Sequence, residues 1–427
     1  MKIKVALAGL GARGYNTYAK YQHKYPERME ITAIADTDPQ KVRAAAKEFN
    51  IPENMCFSSA EEMFSKGKLA DCVFITTQDR QHVGHASVAL DLGYDILLEK
   101  PISHDLGECL FLLNKVKESG RTVIVCHVMR YTKFFEKIKS IISEGGIGDI
   151  VSIQAIENVG YWHYAHSFVR GNWRSKQTTS PMILQKSCHD MDLFVWLTGR
   201  KCISLNSYGS LKYFRSENAP KQAAKYCFDC PLKDTCIYSA YKIYFDNYKI
   251  GFNSGNRDWP INVVTPEPIK EKLEETLRSS PYGRCVYYCD NDVVDHQVVN
   301  MLFEDEITVD FTMSSFTADN WRSIKIMGTR GEIYGNQLTN TVEHTVFGER
   351  PVIYDISKLT DDLSGHMGGD NEMLTRFFES LSGKGGNPST TIENSIHSHV
   401  MAFAAEESRL DGGKTILLED FVKNYKT

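Results

Sequence analysis

A glycine loop at the start of the chain restricts its fold more than any other feature. Gly9-Leu-Gly11-Ala-Arg-Gly14 follows directly on the apolar run Ile3–Ala8 and opens a stretch of helical period over residues 13–23. A strand that feeds a G-x-G-x-x-G turn and then a helix is the entry unit of a dinucleotide-binding βαβ fold. Gly9 permits the tight turn, Gly11 lets the backbone approach a pyrophosphate, and Gly14 allows close helix–strand packing. With Ala12 and Arg13 at the helix start, free N–H groups and the positive end of the helix dipole face the phosphates. The second strand, over residues 30–36, ends in Asp36, 22 residues past Gly14. A carboxylate there accepts hydrogen bonds from an adenosine ribose and repels a 2′-phosphate, which favours NAD over NADP. Arg13 is close enough in sequence to soften that discrimination.

Strand-like and helix-like runs keep alternating to about residue 126: Pro39–Phe49 with Asp38 as N-cap, then runs at 72–76, 81–92, Asp95–Leu98, Leu106–Ser119 and 122–126. That alternation predicts a doubly wound parallel sheet, a Rossmann domain over residues 1–127. Beyond it the pattern changes. Helical runs at 134–143 and 191–197 lie among strand-like runs at 149–158, 203–208, 293–303, 306–313, 323–327 and 342–346. Helices return at 371–381 and 391–408. Strands gathered this way predict an α/β domain over 128–427 with an open, mostly antiparallel sheet, serving substrate and subunit contact. Residues 214–282, rich in cysteine and aromatics and with a charged helix at 269–277, read as an insertion within it.

Composition narrows the function classes. Lys plus Arg is 49 and Asp plus Glu is 54, a net charge of −5, which gives no basic surface for nucleic acid or an anionic membrane. No apolar run approaches the roughly 18 residues of a membrane span. The opening residues read as a strand rather than a secretory leader, because Gly9 and Gly11 break the apolar stretch. Eleven cysteines, an odd count, suit a reducing cytoplasm better than a disulfide framework.

Glu99-Lys100-Pro101 follows the strand Asp95–Leu98. Ligands of open α/β sheets bind at the C-terminal ends of the strands. A partly desolvated lysine there can hold a hydroxyl and share its proton, although on the residues alone a surface Lys–Glu pair is the better reading. Taken together, the glycine loop, Thr76-Thr77 at a strand end, His82 and Glu99-Lys100-Pro101 resemble the Gfo/Idh/MocA family of oxidoreductases. The resemblance runs from end to end except over 214–282. It implies that Lys100 lies beside the nicotinamide and the reacting carbon. It also implies that Thr76, Thr77 and His82 line the nicotinamide side of the cofactor channel and that Glu99 orients the ring end.

In the second domain, Gln185-Lys186-Ser187-Cys188-His189-Asp190-Met191-Asp192 precedes a helix. A histidine suits proton removal from an alcohol at neutral pH. The resemblance places the family's base at His189, but its aspartate falls on Gln185, which cannot ionise, and Lys186 adds a cation. Lys100, His189 and Lys186 are therefore the catalytic candidates. Arg130, Tyr131, Trp173, Arg174, Gln185 and Asp370 are candidate substrate contacts, and each is also open to a packing or capping role. His366 and Asp295-His296 belong to the same group of possible contacts.

Cys227-x-x-Cys230-x5-Cys236, with Cys285 or Cys289 further on, has the spacing of a thiolate site for a structural zinc, with Cys285 preferred as fourth ligand. Unligated buried thiols are the other reading. The chain is thus expected to be an NAD-dependent oxidoreductase acting on a secondary hydroxyl of a sugar, cyclitol or glycoside, as a homodimer or homotetramer. Two other readings stay open. One is a glycoside hydrolase or lyase that oxidises the sugar's carbon 3 transiently, as some relatives do. The other is a sugar or nucleotide sensor without catalysis.

Overall fold

The computed structural model describes residues 2–362, 364–385 and 388–425. Six strands form the first sheet: β1 (Ile3–Ala8), β2 (Met29–Ala35), β3 (Cys56–Phe57), β4 (Cys72–Ile75), β5 (Asp95–Leu98) and β6 (Val123–Val125). All pair in parallel, in the order β3-β2-β1-β4-β5-β6. The winding reverses between β1 and β4, so their C-terminal ends open the crevice in which such sheets bind ligands. Val5, Val73, Phe74, Ile96 and Leu97 are fully buried, as expected where helices cover both faces of a parallel sheet.

Local chemistry sets the helices. Asp38 accepts from the backbone N–H of Gln40 with Pro39 at the first position, and Asn50 at φ 54° closes Pro39–Phe49. Asp105 accepts from Glu108 N–H, and Gly120 at φ 62° closes Leu106–Ser119. After the glycine loop the chain winds more widely than an α-helix over Ala12–Ala19 and then continues as Tyr21–Lys24.

The second sheet has nine strands: β7 (Ile150–Gly160), β8 (Cys202–Ser210), β9 (His296–Phe303), β10 (Thr308–Thr317), β11 (Trp321–Gly328), β12 (Gly331–Asn336), β13 (Thr341–Val346), β14 (Val352–Asp355) and β15 (Ile416–Leu417). Their order is β14-β13-β12-β11-β7-β10-β9-β8-β15; β7 and β10 run parallel and every other pair is antiparallel. Burial alternates along β9 to β11, so one face lies on the core and the other is open. Helices Cys188–Thr198 and Ile392–Leu410 pack on the inner side. Four strands carry no clear sequence signal: β3, β12, β14 and β15. Two of them have only two residues, and β12 is interrupted by Gly335.

Residues 211–295 contribute no strand. They fold into turns, short helices and Lys270–Ser279 around buried Phe214, Tyr244, Phe245 and Ile261. Near the end, helix Gly369–Leu381 returns to the first sheet and packs Met373, Leu374, Phe377 and Phe378 with Val5, Tyr18 and Phe74. Among the described residues no helix is long and apolar enough to cross a membrane.

Candidate active site

The glycine loop sits at the sheet's switch point. Gly9 has φ +97°, and a Cβ on it would lie 2.6 Å from the Thr76 carbonyl oxygen. A Cβ on Gly14 would collide with Gly9 O and Thr76 Oγ1, whereas nothing lies within 4 Å of the position a Cβ would take on Gly11. The loop is therefore tight where the helix meets the strand and open at its second glycine, where a pyrophosphate needs room. The Thr76 hydroxyl braces it from β4, 3.0 Å from Ala8 O and 2.7 Å from Gly9 O. Asp36, just past β2, accepts from Leu10 N–H at 2.6 Å and Asp38 N–H at 2.9 Å. These features fit an NAD adenosine and pyrophosphate. Asp36→Ala should weaken NAD about 10- to 100-fold, the worth of hydrogen bonds to a charged group, while changing NADP affinity far less; calorimetric titration with both nucleotides checks it.

Arg13 is turned away from Asp36. Its Nε donates to Glu99 Oε1 at 2.7 Å, and its Nη2 donates to Asp370 Oδ1 at 2.5 Å and Tyr18 OH at 2.5 Å. A guanidinium so committed has no fork free for a 2′-phosphate. Burial pushes both carboxyls up, yet both stay below their ordinary range: Arg13 and Lys100 hold Glu99 down, and Arg13 and His366 hold Asp370 down. Asp370 comes from the helix that returns to the first sheet, so Arg13 joins the two ends of the chain at the cofactor crevice.

Glu99 Oε2 accepts from the Lys100 backbone N–H at 2.9 Å. The Lys100–Pro101 bond is cis. His82 fastens this turn to β4: Nδ1 lies 2.8 Å from Pro101 O and Nε2 3.1 Å from Thr77 O. The Thr77 hydroxyl meets His85 Nδ1 at 3.0 Å, and His85 reaches Glu61. Thr76, Thr77 and His82 thus position the loop and the turn.

The Lys100 ammonium crosses to the second domain and donates to Gln185 O at 2.8 Å. His189 is buried beside it with Nδ1 unpartnered. Burial, then the charge of Lys100, holds His189 well below the usual histidine range, so it stands neutral and able to accept a proton. Behind it lie His127, 5.7 Å away between ring centres, and His399, 5.5 Å beyond that. Ile102 N–H donates to His399 Nε2 at 2.9 Å, which leaves Nδ1 as the protonated nitrogen facing Ser395 O.

Lys186 lies 3.4 Å from Glu157, which Arg322 also pairs. Arg322 in turn holds Asp190 at 2.7 Å. Burial raises Glu157 to about 8 against the pull of Arg322, and burial lowers Lys186. Gln185 presents its amide to Asp79 Oδ2 at 3.4 Å; Ser180 donates to the same oxygen at 2.5 Å, and Asp79 Oδ1 is unpartnered. A carboxylate therefore does stand at Gln185, supplied by the first domain.

Two profiles of an oxidoreductase family match the chain: an NAD-binding Rossmann fold over residues 3–127 and a C-terminal alpha/beta domain over 139–416. The chain belongs to the Gfo/Idh/MocA family. It is 24% identical over 399 residues to YteT of Bacillus subtilis (strain 168), covering 88% of each chain. It is 25% identical over 181 residues to glycosyl hydrolase family 109 protein 1 of Bacteroides fragilis, covering 40% of this chain and 38% of that one. The fold is similar to that of the WlbA dehydrogenase of Bordetella pertussis in complex with NADH and UDP-GlcNAcA. There the TM-score is 0.70 at 17% identity over 97% of each chain. The protein is an NAD-dependent oxidoreductase of this family.

Other residues singled out in the sequence have internal partners. Arg130 makes a two-pronged pair with Asp192 at 2.6 Å and 2.6 Å, and Tyr131 OH meets Thr390 Oγ1 at 2.9 Å. Arg130 lies beside His127 at the back of the histidine row. Arg174 pairs with Asp290 at 2.9 Å, and Trp173 is 37% exposed beside Phe168. Asp295 accepts from Lys212 N–H and Tyr213 N–H and meets His296. It anchors the start of the strandless segment.

His163 carries no motif in the sequence. The structure sets it past the end of β7 within reach of the charges of Lys186 and Lys100, which, after burial, hold it neutral. Asn320 Oδ1 accepts Gly160 N–H and lies 2.8 Å from His163 Nδ1, so Nδ1 carries the proton and Nε2 is left as acceptor. Cys227, Cys230, Cys236 and Cys285 line one small cavity far along the second domain. Among the described residues no group of His, Cys, Asp or Glu is arranged to hold a metal ion as it stands.

Proposed function

We propose that the protein oxidises a secondary hydroxyl of a sugar, cyclitol or glycoside, with Lys100 and His189 holding and deprotonating that hydroxyl. The observation that carries this reading is an ammonium and a neutral buried histidine together at the C-terminal end of β5, beside the cofactor loop. NAD, when bound, supplies the two-electron acceptor. Lys100 donates a hydrogen bond to the hydroxyl oxygen and stabilises the charge that grows there as the C–H bond breaks. His189 takes the hydroxyl proton as general base. His163 Nε2 and Asn320 would accept from neighbouring hydroxyls, with Trp173 and Arg174 at the rim and Gln185 and Asp370 fixing the walls.

Redox-assisted glycoside cleavage is a second reading. Gln185 in place of the family's aspartate, and the partial match to a glycosyl hydrolase family 109 protein, favour it. The test is purification without added nucleotide, release of any bound NAD, and NADH absorbance with a panel of sugars and glycosides. NADH that grows with substrate supports the dehydrogenase. Stoichiometric bound NAD with glycoside cleaved and no NADH supports the second reading. Neither activity, despite NAD binding, overturns both and leaves a sensor. The open face of the second sheet, with Ile156, Tyr208 and Tyr334 exposed, supports face-to-face pairing into a homodimer or tetramer.

A further inference from the structure

We propose that Cys227, Cys230, Cys236 and Cys285 bind one structural zinc ion, and that the buried guanidinium of Arg170 balances its thiolate charge. Four observations meet at this place, and none depends on the redox reading.

The first is the cavity. Three cysteines from one stretch of ten residues and a fourth from 49 residues further on line a single space of about 20 Å³. That is room for one small ion or water. The second is the backbone that brings them together. Cys230 N–H donates to Cys227 O at 3.2 Å, closing the tight turn that lets a C-x-x-C pair face one point. Tyr226 bridges Arg284, and Cys285 N–H donates to Lys225 O at 2.8 Å, which clamps Cys285 against the turn.

The third observation is Arg170. It is fully buried, yet its partners are neutral: Nε donates to Arg284 O at 2.7 Å, Nη2 to Tyr238 O at 2.7 Å and to Cys227 Sγ at 3.5 Å, and Nη1 has none. Among the described residues no carboxylate is paired with it. A buried cation without a counter-charge is strongly destabilising. Four neutral thiols leave that charge unanswered, whereas four thiolates on one Zn²⁺ carry a net charge of −2 beside it. Binding then releases four protons, one from each thiol, and changes no oxidation state.

The fourth is the position of Cys289, the other sequence-level candidate. Its Sγ donates to Cys285 O at 3.3 Å and does not line the cavity. Cys230 and Cys236 are only half-buried, so a change of χ1 rotamer can turn their thiols toward a common point.

The consequence is mechanical. Arg170 ends the segment that contains His163 and His166, and His166 meets Tyr244 OH at 2.7 Å and stacks on Tyr282. The zinc staples the strandless segment to the wall that carries His163.

The test is elemental analysis of the untagged full chain by mass spectrometry. It should show about one zinc per chain and no iron. A mercurial reagent should release that zinc as it titrates the thiols. Cys285→Ser should drop zinc at least tenfold, and Cys289→Ser should retain it. If Cys285→Ser fails to fold, cobalt substitution of the wild type decides, because tetrahedral thiolate coordination gives strong visible absorption. A chain without metal whose eleven thiols all titrate, iron with labile sulfide, or disulfides among these cysteines would each overturn the proposal.

Discussion

Lys100→Ala should lower kcat by about 10³-fold, within the usual range for a lost proton-handling group, and leave NAD affinity within about twofold of the wild type. The separation follows from where each part of the turn is anchored. Glu99 is held by Arg13, Tyr18 and the backbone N–H of residue 100, not by the lysine side chain. The substitution keeps all three, so the cofactor side of the turn stays in place. What disappears is the ammonium, whose recorded hydrogen bond is to Gln185 O, and with it the charge that helps keep His189 neutral. Lys100→Arg should recover part of the rate, since it restores the charge but not the compact donor. Stopped-flow NADH absorbance for the rate and calorimetry for the cofactor separate the two effects. A kcat within tenfold of wild type would remove Lys100 from the chemistry and shift the reading towards a sensor.

The glycine loop, the parallel alternation and the Glu-Lys-Pro turn were legible because each rests on local chemistry: a positive φ at Gly9, caps at Asp38 and Asp105, an apolar run where a strand is buried on both faces. Other features depend on residues far apart in sequence. Asp79 reaches Gln185 across 106 positions, and Asp370 reaches Arg13 across 357. No spacing rule connects them. His163 stands in no motif, and only the fold shows that Asn320, 157 positions away, fixes its tautomer. Arg130 and Tyr131 stand where the family's second domain begins, yet their chemistry is turned inward to Asp192 and Thr390. A lone arginine in a sequence does not say which carboxylate it will find.

One consequence of this arrangement is that the cleft is built from paired charges at its edge and neutral rings at its centre. Glu99 and Asp370 are ionised against Arg13, and Arg322 holds Asp190 at 2.7 Å, while His163 and His189 are kept neutral by burial. Ion pairs fix the walls, and neutral acceptors face the space between them. That division suits removal of a proton from an uncharged, hydroxyl-rich substrate, since a cationic histidine could not accept it.

The same burial makes the fold sensitive to acid, and Tm should fall by on the order of 10 °C between pH 7 and pH 5. Burial holds His166 and His399 at about 3 and His397 at about 4, and it holds His127, His163 and His189 well below the ordinary range. In the unfolded chain these groups titrate near 6.5, so below that pH the unfolded state takes up protons the folded state refuses. Unfolding is then favoured progressively as pH drops from about 6.5 towards 4, by roughly 2 kcal/mol per histidine at pH 5. Glu157 works in the opposite direction: raised to about 8, it stabilises the fold as pH falls from 8 towards 4.5, and it offsets about one histidine. Calorimetry at constant ionic strength across this range reads the net effect; a flat or rising Tm would mean that these rings are hydrated or charged in the folded protein. His127 isolates one share of it. Among the described residues neither ring nitrogen has a hydrogen-bond partner, Asp192 lying 4.0 Å from Nε2, and the ring is fully buried. His127→Phe fills the same space without a titrating group, and it should raise Tm at pH 5 by more than at pH 7.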